Sequence, residues 1–126
     1  MDISIRIEAD RHADELRSLR TSLTGESDLS NRVRLVSKPI PGKLGGFETL
    51  EVLLGAGGAV AVTARATADV LITWLRGRIG TVSITVAKLD GMMLAEYHAT
   101  SLRDLTPEQA GEAVRALAKE LDDGDS

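Results

Sequence analysis

The sequence predicts a small α/β (α+β) domain, a two-layer sandwich in which a four-stranded mixed sheet carries helices in the order β-α-β-(α-α)-β-β-α. Three observations predict it. Ile3, Ile5 and Ile7 alternate with polar residues, and Val82, Ile84 and Val86 repeat that two-residue period, the pattern of half-buried strands. Apolar residues recur at helical spacing at Ala13, Leu16, Leu19 and Leu23, and again at Ala110, Val114, Leu117 and Leu121. Strand, helix and strand also follow one another at the start of the chain, and so short a crossover predicts parallel neighbours.

Element by element, the first strand gives way at Asp10, a residue type that caps helices, and Gly25 stops the helix that follows. The stretch "RVRLV" makes a second strand, with Val33 and Leu35 on one side and Arg32 and Arg34 on the other. Pro39, Pro41, Gly42, Gly45 and Gly46 make the next connection a loop. Residues 47–75 read as two helices broken at Gly55, Gly57 and Gly58, although Val60 and Val62 would also suit a strand. Arg76 and Arg78 then place cations at the negative end of the helix dipole. Asp90-Gly91 predicts a hairpin turn into a strand near Met92 to His98. In "TPEQ", Thr106 and Gln109 have the spacing of a reciprocal capping box, with Pro107 in the first turn.

With 126 residues, the chain has the size of one domain, placed at 1–121, followed by an acidic flexible tail at 122–126. Its only aromatic residues are Phe47, Trp74 and Tyr97, so the core is built from aliphatic side chains and a base-stacking platform is excluded. The absence of cysteine removes disulfides, thiolate nucleophiles and cysteine metal sites together. The net charge of −4 is concentrated beyond residue 103, where seven acids face two bases. Nucleic-acid binding, which needs a basic face, is therefore not expected. The opening "MDISIRIEAD" has no apolar signal region behind a basic stretch, so the expected location is cytoplasmic.

No residue pattern nominates a catalyst, cofactor or metal. Gly55-Ala56-Gly57-Gly58 has Val60 where a dinucleotide fingerprint needs its third glycine, and no Lys-Ser or Lys-Thr follows. Phosphate binding at a helix N-terminus stays open; a positive-φ turn between closely packed helices is the commoner use of such glycines. The uncharged run from Val52 to Ala64 is thirteen residues, short of the roughly twenty needed to span a bilayer. Entry into lipid after a conformational change remains an alternative. His12 and His98 have no metal-ligand spacing and read as surface residues. Trp74 reads either as a core-edge residue or as an interface anchor, because Trp and Arg are enriched at binding hot spots.

Four segments together carry a resemblance: "ELRSLRTSLTGESDLSNRVRLV" (15–36), "PGKLGGFETLEVLLGAGGAV" (41–60), "VLITWLRGR" (70–78) and "VSITVAKLDG" (82–91). In this order they resemble the effector-associated constant component family, type one, of actinobacteria, over about residues 1–120. The resemblance implies an accessory component of bacterial conflict (defence) systems. Such a component accompanies trypsin-like or caspase-like peptidases and nucleotide-hydrolysing regulators. It brings no catalytic residue; Gly55, Gly57, Gly58 and Trp74 are the positions that match its motifs. The expectation is a non-enzymatic adaptor without cofactor or metal, capable of homo-oligomerisation. Its partner surface is placed at Trp74, Leu75, Arg76 and Arg78 with Leu44 and Gly45 of the neighbouring loop. The alternatives are a latent membrane-active effector released by a partner's proteolysis, and a small-ligand or nucleotide-binding module.

Overall fold

A computed structural model describes residues 2–39, 46–55 and 59–123. In chain order the elements are β1 (Asp2–Glu8), α1 (His12–Thr24), β2 (Val33–Pro39), β3 (Gly46–Leu53) and α2 (Ala59–Arg76). β4 (Ser83–Lys88), β5 (Met93–His98), α3 (Ala99–Leu102) and α4 (Pro107–Asp123) complete the chain. The strands form one sheet in the order β2-β3-β1-β4-β5, and every neighbouring pair is antiparallel.

Among the described residues the sheet therefore has five strands rather than four, and it is antiparallel rather than mixed. The added strand is β3, in the segment the sequence reads as the first helix of an α-α pair. Its alternation is real: Leu50 and Val52 are fully buried while Glu51 and Leu53 point the other way. Two glutamates and the adjacent Leu53 and Leu54 blur that period in the sequence. What settles the strand is partners on both sides, with Leu50 opposite Ile5 of β1 and Leu35 of β2. Tertiary pairing here overrides a weak local preference.

β1 and β2 do run parallel, as the short crossover requires, but β3 lies between them. In the same way β3 and β4 run parallel with β1 between them. Two split β-α-β units thus interlock, the ferredoxin-like plan, and β5 with α3 and α4 extends it at one edge.

α2 lies between α1 and α4, and these helices cover one face of the sheet. Ile3, Ile5 and Ile7 point into that layer and are buried, together with Leu16 and Leu19 of α1 and Leu71 and Leu75 of α2. Burying each such side chain contributes about 1.5–3 kcal/mol. Val114, Leu117 and Leu121 close the core from α4, which begins at a reciprocal capping box. There Gln109 N–H donates to Thr106 Oγ1 at 3.1 Å, and Thr106 N–H donates to Gln109 Oε1 at 2.9 Å. α1 differs from expectation at its start: its N-cap is Arg11 rather than Asp10, and no side chain caps it. α4 extends to Asp123, two residues past the placed domain boundary.

Candidate functional site

Between α1 and α2 the chain builds a compact polar cluster. The Trp74 indole N–H donates to Ser18 Oγ at 3.1 Å, and the ring is only 8% exposed. The Arg78 guanidinium carbon lies 5.0 Å from the Trp74 ring centroid, a distance at which the cation is attracted to the ring face. Arg78 Nη2 donates to Glu15 Oε1 at 3.1 Å, while Nε sits 2.8 Å from Oε2 as an ion contact off the hydrogen-bond line. Such a two-point Arg–carboxylate pair fixes orientation as well as charge.

The surrounding residues extend this clasp. Arg76 Nη2 donates to the Leu105 carbonyl at 2.8 Å, and Leu75 is fully buried. Arg103 Nη2 donates to the carbonyls of Arg78 at 3.1 Å and Gly80 at 3.0 Å. Of the six residues placed at a partner surface by sequence, Trp74, Leu75, Arg76 and Arg78 are thus brought together, with their contacts directed inward. Leu44 and Gly45 lie outside the described residues. Gly55 has φ +85° and joins strand β3 to helix α2 rather than one helix to another. A Cβ there would come within 3.1 Å of Arg32 Nη1. Gly57 and Gly58 lie outside the described residues.

A second region is marked by sequence only as a turn. At the β4–β5 hairpin, Asp90 Oδ1 accepts the Met92 N–H at 2.9 Å, and Gly91 takes φ +97°. Around this turn stand Leu89 at 43%, Met92 at 60% and Met93 at 60% exposure, with Leu53 of β3 at 42%. The register places Leu53 opposite Asp2 and Met93 opposite Ala87, so these two lie toward one end of the face that the described helices leave uncovered, with β1 and β4 between them. The sequence signal was "KLDGMML", a hairpin turn flanked by large apolar residues.

On the same uncovered face, Arg34 Nη2 and Nε reach Glu51 Oε1 at 2.7 and 3.0 Å, a cross-strand pair that ties β2 to β3. His98 Nε2 lies 3.0 Å from Glu96 Oε1. His12 borders a shallow cleft with Arg6, Glu8 and Glu48. Among the described residues no three His, Asp or Glu side chains converge on a point that could hold a metal ion. Tyr97 sits on the helix-covered side of β5, where burial and then the Glu120 carboxylate push its phenol above the usual value. The uncharged run from Val52 to Ala64 is divided between the end of β3 and the start of α2. No described helix is long and apolar enough to cross a membrane.

The described residues form an antiparallel ferredoxin-like sandwich whose helices cover one face of the sheet, with exposed apolar side chains toward one end of the other. The family model of Effector Associated Constant Component 1 matches residues 8–118, and the chain belongs to that family. No curated protein and no solved structure matches the sequence.

Proposed function

We propose that this protein is a non-enzymatic accessory component of a bacterial conflict system that binds an effector. The partner class is a trypsin-like or caspase-like peptidase, or its nucleotide-hydrolysing regulator. Membership in the effector-associated family supports the association. The observation that carries the binding mode is the exposure of Leu89, Met92 and Met93 around the β4–β5 turn, with Leu53 exposed across β1 from them. Large apolar side chains gathered at one exposed place mark interaction sites, and methionine adapts to varied partner surfaces. The Trp74–Arg78 helix end is the other candidate contact. Its inward hydrogen bonds leave it less to offer a partner, so the hairpin end is preferred.

The test is affinity capture of the tagged full chain from its source cells, with mass spectrometry of the bound proteins. A peptidase or nucleotide-hydrolysing protein should accompany the unaltered chain and be lost from the Met92→Asp/Met93→Asp double variant. Both positions are exposed, so the variant should keep its helical circular dichroism. Capture of no such protein overturns the adaptor reading, and its retention by the double variant overturns the assignment to the hairpin end.

A further inference from the structure

We infer that the outward face of α2 is a two-fold contact surface for a second copy of this chain. α2 is the middle helix of its layer, and its exposed positions include Ala61, Val62, Arg65, Asp69 and Thr73. Val62 is 54% exposed, and the partly buried Ala66 and Val70 continue the same surface. α4 contrasts sharply, for its exposed positions include Glu108, Glu112, Arg115, Lys119 and Glu120. Two neighbouring helices of one layer therefore meet the outside with different chemistry.

The two charges on the α2 face select the occupant. Arg65 and Asp69 are one turn apart, and among the described residues neither makes an ion pair or a side-chain hydrogen bond. Residues four apart share one side of a helix. When two copies of α2 lie antiparallel about an axis midway between Arg65 and Asp69, each Arg65 comes opposite the Asp69 of the other copy. Both ion pairs form at once, as an isologous contact requires. Ala66 near the axis lets the helices approach closely, and Ala61 meets Thr73 of the second copy. A parallel arrangement would instead set Arg65 beside Arg65. Glu26 and Asp28 border the same shallow groove, and among the described residues Arg65 is the only cation in its lining. The arginine of a second copy therefore enters acidic surroundings.

This contact lies on the helical layer and does not depend on the effector reading, which concerns the hairpin end. A face of this width belongs with small protein interfaces, so association is expected at about 10–100 μM. Sedimentation equilibrium of the full chain over that range should approach twice the 13.4 kDa chain mass. Arg65→Asp and Asp69→Arg should each return the protein to the mass of one chain, and the Arg65→Asp/Asp69→Arg double variant should dimerise again. Both substituted positions are on an exposed helix surface, so unchanged circular dichroism accompanies each expected result. Three outcomes overturn the inference: a single-chain mass at every concentration, a dimer indifferent to both reversals, or a double variant that stays monomeric.

Discussion

The helix end around Trp74 and the hairpin end around Met93 form an instructive pair. The first has the residue types enriched in binding hot spots, one tryptophan with flanking arginines. Every one of these side chains is directed into the molecule, toward Ser18, Glu15 or the Leu105 carbonyl. The second presents thioethers and leucines around the Asp90 turn, and these apolar side chains are left open to solvent. Indole and guanidinium groups have donors that a fold can use as readily as a partner can. Their presence signals a demanding contact without saying whether that contact is internal. An exposed cluster of large apolar side chains has no such internal use.

Substitutions that separate the two ends should differ widely in their cost to stability. Trp74→Ala should lose about 3–5 kcal/mol, because it removes a buried ring and leaves a cavity between α1 and α2. Denaturant unfolding measures it, and a loss below about 0.5 kcal/mol would show the helix end to be free surface after all.

Tyr97 gives an intermediate case, since it shares β5 with Met93 but faces the helices. Burial, and then the Glu120 carboxylate, raise its phenol above the usual value in the folded chain. The native state therefore holds this proton more tightly than the unfolded chain does. The stability this contributes is complete below the ordinary tyrosine value of 10.0 and is lost as pH rises through the raised native value. As the chain has a single tyrosine, phenolate absorbance reads it without interference. The midpoint should lie above that of the denatured chain, and Tyr97→Phe should flatten the alkaline fall in stability.

Met93→Ser should have the smallest effect, within about 0.5 kcal/mol, as for other exposed positions. A larger loss in thermal unfolding would mean that the hairpin end is engaged within the chain.

Much of this fold could be read where a single local rule applies. Ile3, Ile5 and Ile7 announce β1, Asp90-Gly91 announces its hairpin, and Thr106 with Gln109 announces the start of α4. β3 could not be read in that way, because Leu53-Leu54 breaks its alternation and its identity as a strand depends on Ile5 and Leu35, far away in sequence. The antiparallel sheet follows from the same omission: once β3 is missed, β1 and β2 look like neighbours. At the helix end, the sequence singled out Trp74 and Arg78 but not Ser18 and Glu15, which lie 56 and 63 residues earlier. Residue type marks a demanding side chain, whereas its partner is set by how α1 lies along α2.

The placement of β1 at the middle of the sheet has a consequence for how the chain is made. Ile5 leaves the ribosome before both of its neighbours, Leu50 and Val86. The strand around which the sheet is organised must wait, with one edge open, until β4 around Val86 has followed it. Such distant pairings close slowly, and an unpaired apolar strand invites association with other chains. Ser4 and Arg6, set between the isoleucines, keep one side of this early strand polar during that interval.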